Sequence, residues 1–284
     1  MLVGLARLAD AARLPLWHEA KAMTRRGLIT RQELWRDPPL DAAGLPVLLV
    51  GGVGSTALLL GPLQDLLHRL NCRVLVAPVR LGIGCGETVT GAVERALVRL
   101  TDATSQPAVI IGHSRGGQFG RAVAVRRPEL VRGLITLGSP LTRLLAVHPM
   151  LRAQLVLLGM AGAVGVPGLL RPGCLWGSCC ARLRGDVGGP FPESVRFLSV
   201  YSRLDTIVDW RSSQDPAARH AEVAVSHGGL IWEPDSLAAI TGELAATLAV
   251  TADPPALRSV HTGPFRRQDG SAGHAVPVND SPAA

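Results

Sequence analysis

The stretch Gly112-His113-Ser114-Arg115-Gly116-Gly117 sets a serine hydroxyl among small residues. An apolar run, Ala108-Val109-Ile110-Ile111, leads into it, and a helical stretch from Gln118 to Val125 leaves it. Strand, Gly-x-Ser-x-Gly turn and helix in that order make the setting of a nucleophile elbow. The turn asks two things of its glycines: one must accept strained backbone torsions, and another must let helix and strand approach closely. A hydroxyl held at the start of a helix sits where backbone N–H groups and the helix dipole favour a negative oxygen.

A serine hydroxyl is a poor nucleophile until a base takes its proton, and the base needs a partner to fix its tautomer. In this architecture the chain order is serine, acid, histidine. Asp205 lies just past the run Phe197–Tyr201, and His227 just past Val223-Ala224-Val225. Asp209 competes for the acid. Asp205 follows the strand more closely and precedes an apolar Ile207-Val208 pair that can anchor the loop, so the acid is assigned to Asp205 and Asp209 to loop hydrogen bonds or a salt bridge. Of the other histidines, His18 and His68 fall on expected helices, His261 and His274 in the tail, His148 in an insertion and His220 ahead of the last strand. His113 flanks the nucleophile and is expected to point elsewhere on the turn. His227 is therefore the expected base. An oxyanion needs two donors. The Arg115 backbone N–H is one. The other comes from the loop Gly51-Gly52-Val53, with Val53 preferred and Gly52 the alternative. That loop could instead cradle a phosphate, but no Gly-Lys-Ser/Thr follows and the Gly-x-Gly-x-x-Gly spacing is missing.

The elements that must hold these residues read as an alternation. Pro46–Val50 is a continuous apolar strand, Thr56–Leu70 a helix, Arg73–Ala77 a strand, Glu87–Leu100 a helix, Val109–Ile111 a strand and Leu134–Leu137 another, ending at Gly138-Ser139-Pro140. Apolar strands alternating with helices predict an α/β fold with a mostly parallel sheet of about six strands, flanked by helices on both faces. After Pro140 the alternation stops. Residues 141–192 are apolar, rich in Gly and Pro, and hold three cysteines, as an inserted cap or lid would. Alternation resumes at Val195–Tyr201, with a last strand at Glu222–Val225 and a closing helix at Pro234–Val250. The expected organisation is an N-terminal helical segment over 1–44, the main domain over 45–250 and a disordered tail over 251–284, where no apolar period survives.

With 284 residues, 47% of them hydrophobic, the chain can fill one α/β core and has no room for a second large domain. The net charge of +7 raises nucleic acid and anionic membrane as partners. The basic residues are almost all Arg and are spread along the chain, without a dense basic run, so nucleic acid is not expected. Five cysteines, an odd number, argue against a full disulfide framework. Cys72 and Cys85 read as small buried hydrophobes. Cys174, Cys179 and Cys180 share a loop where a local disulfide is open; zinc is disfavoured for want of a second ligand pair with suitable spacing, and no metal is expected. Asp10 interrupts the first apolar run and no small-residue cleavage site follows, so a cytoplasmic location is expected. Ala153–Leu170 is uncharged and only just of spanning length, but its glycines and Pro167 fit a mobile apolar cover better than a membrane span. Peripheral contact with a membrane surface stays open.

The ordered set resembles the α/β-hydrolase superfamily, and within it the small bacterial lipases and esterases. The matching pieces are Leu48–Val53, Ile111–Gly117, Thr136–Pro140, Asp205–Asp209 and Ser226-His227. The resemblance spans about residues 45–250. It implies that Ser114 is acylated, that His227 acts as base and then acid, and that Asp205 orients His227. The implied activity is hydrolysis of lipid-like or medium-chain carboxylic esters through an acyl-enzyme, with no cofactor. An acyltransferase on the same triad and a catalytically silent membrane-surface binding protein are the rivals. In lipase-like relatives the segment after the Gly-Ser-Pro strand often caps the acyl pocket, which implies that Leu144, Leu155, Leu158 and Val166 line or cover it. Two residues depart from the pattern. Gly51 stands where such lipases often have His or Pro, and Arg115 where many relatives are apolar or neutral; the Arg115 side chain is expected to cap solvent-exposed charge.

Overall fold

Pro46–Val50 (β1) is buried along its whole length, as a strand covered on both faces must be. The computed structural model describes Glu19, residues 40–55 and residues 57–252. Most of the expected N-terminal helical segment, and the expected tail from residue 253 onward, lie outside the described residues.

From β1 the chain runs through α1 (Ala57–Arg69), β2 (Arg73–Val76), α2 (Gly86–Thr104), β3 (Ala108–His113), α3 (Arg115–Arg126) and β4 (Val131–Leu137). Between β4 and the next strand lie α4 (Pro149–Ala163), a single turn α5 (Pro172–Leu175) and α6 (Ala181–Gly188). The domain closes with β5 (Arg196–Ser202), β6 (Arg219–Val223) and α7 (Pro234–Ala252). The six strands form one sheet in the order β2-β1-β3-β4-β5-β6, with every neighbouring pair parallel.

Alternate residues of each central strand feed opposite cores. Val47, Leu49, Val109, Ile111, Ile135 and Leu137 pack on the face shared with α1 and α7. Leu48, Val50, Ala108, Ile110 and Leu134 pack on the face shared with α2, α3 and α6. This is the period of two that a doubly covered strand imposes. Because β2 lies on one side of β1 and β3 on the other, the connections diverge between β1 and β3. A crevice opens at the carboxyl ends of strands at such a point. The loop after β1 and the turn after β3 are therefore forced together there.

The last strand differs from the expectation. It spans Arg219–Val223 rather than Glu222–Val225, and His220 lies inside it. Being an edge strand, it pairs with β5 alone, and only Ala221 and Val223 turn inward, both half-buried. The apolar run that suggested a strand continues past the pairing, where Val225 is buried in the loop. Among the described residues no helix is long and apolar enough to cross a membrane.

One buried charge ties these layers together. Arg121, on α3, donates through Nε to Asp215 Oδ2 at 2.6 Å, through Nη1 to the Asp186 carbonyl at 2.6 Å and through Nη2 to the Gly189 carbonyl at 2.9 Å. Its guanidinium also lies over the Phe191 ring. The pair thus joins α3 to the end of α6 and to the loop before β6. Removing one partner of a buried ion pair leaves the other charge desolvated and unpaired. Asp215→Ala is expected to lower the unfolding free energy by about 3–5 kcal/mol, measured by urea denaturation; a loss no larger than that of an exposed Asp→Ala change would overturn this account of the pair.

Candidate active site

Ser114 sits between β3 and α3 with φ 55° and ψ −127°. For a residue with a side chain this backbone is strained, by roughly 1–3 kcal/mol. The expectation put the strained torsions on a glycine; the structure puts them on the serine itself. The glycines supply clearance instead. A Cβ on Gly112 would come within 2.6 Å of the Gly117 Cα, one on Gly116 would overlap the Val50 carbonyl, and one on Gly117 would overlap the Ser139 side chain. With nothing between α3 and the strands, the turn is tight enough to lift the serine side chain out at its tip.

The turn after β5 holds Asp205. Its Oδ1 accepts from the Ile207 and Val208 N–H groups, both at 2.8 Å, and its Oδ2 accepts from His227 Nδ1 at 2.6 Å. Asp209 instead accepts from the Arg211 N–H and pairs with Arg143. Of the two candidate acids, Asp205 is the one that meets the histidine. Gly138 (φ +54°) backs the pair: a Cβ there would press to 3.0 Å from Asp205 Oδ2 and 3.1 Å from His227 Nδ1. Since a carboxylate can only accept, Nδ1 carries the proton and Nε2 of neutral His227 keeps a free lone pair. Burial disfavours the His227 imidazolium, but the Asp205 charge and hydrogen bond, with the Glu19 charge added, hold its pKa above the ordinary value.

Two residues near His227 were not foreseen in these positions. His113 does not point away: its Nε2 lies 3.1 Å from the His227 carbonyl, with ring centroids 4.6 Å apart. As the last residue of β3 its side chain is aimed by the strand at the neighbouring loop. Burial first, and then the proximity of His227, push its pKa down to about 3, so it is a neutral donor to that carbonyl. Glu19 accepts from the His227 N–H at 3.0 Å and the Gly228 N–H at 2.7 Å, with the Ser226 hydroxyl at 3.4 Å. No spacing in the sequence marks Glu19; its role arises only from long-range folding.

The loop after β1 lies against the elbow. A Cβ on Gly52 would come within 2.7 Å of the Ser114 Cβ and 3.0 Å of the Arg115 backbone nitrogen. The Gly52 N–H is already taken by Ser55 Oγ at 2.8 Å, whereas Val53 lines cavities together with Ser114. The Arg115 side chain does not cap solvent-exposed charge. It is half-buried, donates to the Gly82 carbonyl at 2.5 Å and lies 5.1 Å from the Phe119 ring centroid.

Two cavities meet at Ser114. One, of about 250 Å³, is lined by Val53, His113, Leu151, Ile207 and His227 as well as the serine. A narrower one, of about 70 Å³, is walled by Leu144, Leu151, Leu155 and Leu170. Leu144 and Leu155 thus line a cavity with Ser114, whereas Leu158 and Val166 line neither. Beyond Leu155, α4 packs through Gly159 and Gly162 onto Leu170, which leaves Leu158 half-buried beside that contact. The chain then turns out at Gly165 (φ +100°), leaving Val166 46% exposed. Among the described residues one group has metal-ligand character: Cys85, Cys174, Cys179 and Cys180, whose Sγ atoms all lie within 4.8 Å of one another. Cys85 is thus not the isolated core residue expected, because the turn after β2 carries it to the inserted segment.

The family model of the α/β hydrolase fold matches residues 78–162. A 2-hydroxymuconate semialdehyde hydrolase of Pseudomonas sp. (strain CF600) is 30% identical over 107 residues, which are 35% of this chain and 38% of that relative. In three dimensions the chain is similar to the mature lipase BlEst2 of Bacillus licheniformis, with TM-score 0.55 and 11% identity over 73% of this chain and 94% of that one. It is also similar to a monoacylglycerol lipase of Paleococcus ferrophilus, with TM-score 0.51 and 16% identity over 72% and 96% of the two chains.

The histidines provide a direct check on the electrostatics. In an NMR titration His227 is expected to protonate above the ordinary histidine range near 6.5, while His113 stays neutral throughout it. Glu19→Gln removes one anion that favours the imidazolium, so the His227 pKa falls; Asp205→Asn removes the charge in direct contact, so it falls further. An unchanged His227 titration in Glu19→Gln would overturn the part given to that carboxylate.

Proposed function

On this α/β-hydrolase fold, we propose that the protein is a serine hydrolase that cleaves carboxylic esters of lipid-like or medium-chain acyl groups through an acyl-enzyme on Ser114. The observation that carries the reading is the buried Asp205–His227 hydrogen bond, whose histidine lines the same cavity as the strained Ser114. His227 Nε2 takes the hydroxyl proton as Ser114 Oγ attacks the ester carbonyl. The resulting oxyanion is held by the Val53 and Arg115 backbone N–H groups, of which the second opens α3. The imidazolium then gives its proton to the departing alcohol, and water repeats the sequence in reverse to free the acid. Asp205, accepting from Nδ1, holds the imidazole in one tautomer. His113 and Glu19 are positioning residues, gripping the backbone of the His227 loop from two sides.

Lining supports the substrate class. Leu144, Leu151, Leu155 and Leu170 offer an acyl chain an apolar slot, with Arg115, Gln118 and Arg184 as the polar members of the same wall. The segment between β4 and β5 serves as the cap, and the outer surface of α4 supports contact with a lipid interface: Leu157 is 65% exposed, and Val164 just beyond the helix is 84% exposed.

A fluorophosphonate probe is expected to label the wild-type protein at Ser114 and to leave a folded Ser114→Ala variant unlabelled. Folded wild-type protein that resists labelling would overturn the reading. On a panel of esters from acetyl to long acyl, turnover should rise toward medium or longer chains. Asp205→Asn should lower kcat by roughly 10⁴-fold with the fold intact. Since the base must be neutral and its pKa is raised, kcat/KM should fall with decreasing pH through a midpoint above that of an ordinary histidine.

A further inference from the structure

Cys85 closes the turn after β2 and caps α2, while Cys174 lies on α5 and Cys179 and Cys180 on the short turn before α6. Their sulfurs surround one point. Cys85 and Cys180 are 3.6 Å apart, Cys174 and Cys179 3.5 Å, and Cys179 and Cys180 3.7 Å, with all four within 4.8 Å of one another. A disulfide holds its sulfurs at about 2.05 Å, so none of these pairs is bonded. A zinc ion with Zn–S bonds of about 2.3 Å sets tetrahedral S–S edges of about 3.8 Å. Three of the six edges already have nearly that spacing, and the rest lie within 4.8 Å.

We propose that Cys85, Cys174, Cys179 and Cys180 bind a single zinc ion that fastens the inserted segment to the turn after β2. Four thiolates and no oxygen ligand select a thiophilic ion, and four protein ligands close its tetrahedron, so the site is structural rather than catalytic. The outer shell suits sulfur anions. The Arg171 N–H points at Cys174 Sγ at 3.3 Å, and the Thr88 and Glu87 N–H groups, in the first turn of α2, are bonded to Cys85 and Cys180. Arg115 brings a cation: a Cβ on Gly86 would lie 3.5 Å from both Arg115 Nη2 and Cys180 Sγ. With Zn²⁺ and four thiolates the centre carries two negative charges, and the guanidinium offsets one. On binding, each thiol passes its proton to solvent.

What the ion would fasten is also on hand. The Leu170 N–H already donates to the Ile83 carbonyl at 2.8 Å, and Gly84 lies against Gly168. Cys174 and Cys180 stand in the wall of the narrow cavity beside Ser114. The ion therefore holds one wall of that cavity in place, whatever chemistry the serine performs.

The full chain, produced in zinc-supplemented medium and purified without a metal column or chelator, is expected to carry about one zinc per chain by elemental analysis. A mercurial that titrates the thiols should release it to a zinc indicator. Cobalt exchange should give the sulfur-to-cobalt charge-transfer and tetrahedral visible bands of a four-thiolate site. The double variant C85S/C179S, at two ligands that line neither cavity at Ser114, should lose the metal and be cut faster by protease within residues 141–192, with Ser114 still reactive to the fluorophosphonate. A zinc-exposed wild-type chain that stays zinc-free, with these cysteines as free thiols or as disulfides by intact mass, overturns the proposal. So does zinc retained by the double variant.

Discussion

The site depends on one close approach, that of α3 to the strands beneath it. Side chains at Gly112, Gly116 and Gly117 would collide with α3, with β1 and with the Ser139 side chain. Only with that space empty can the chain leave β3, reverse through Ser114 and enter a helix at once. The cost falls on the serine's own backbone, and the packed sheet over-determines it. The same approach brings the loop after β1 against the elbow, because β1 and β3 are neighbours whose connections diverge. Seen this way, the backbone donors beside Ser114 are a by-product of sheet order.

Charge is managed by pairing throughout. Arg121 is buried with a hydrogen bond from each of its three guanidinium nitrogens. His227 is buried with a carboxylate on its ring and another on its backbone. His113, buried beside it without a carboxylate, is neutral. The two imidazoles are close in space and opposite in tendency, and what separates them is which of the two an acid reaches.

How much of this could be read beforehand follows from where the information lies. The central strands are continuous apolar runs, so their existence and parallel pairing are legible, and Asp205 and His227, each in the loop after a sheet strand, meet. The edge strand β6 lies earlier than the apolar pattern places it because three of its five residues face solvent and carry no apolar signal. The strain at Ser114 was assigned to a glycine because residue type says which positions tolerate φ > 0, not which one the turn forces there. Leu158 and Val166 stand off the cavities because apolar composition reveals neither that α4 packs through Gly159 and Gly162 onto Leu170 nor that Gly165 turns the chain outward. Glu19 and Cys85 depend on chain segments brought together from far apart, and a local pattern holds no trace of that.

Under the chemistry proposed for Ser114, the two cavities beside it would give an ester two unequal rooms. In acyl transfer through a serine, the alcohol half departs after the first step while the acyl half stays for the second. A side chain in the wider room then bears only on how fast the enzyme is loaded. One in the leucine-walled room bears on loading and unloading alike. Apart from Leu151, which lines both rooms, side chains of one room would then select one half of that substrate, and the slower step could pass from one room's control to the other's without any change at the triad.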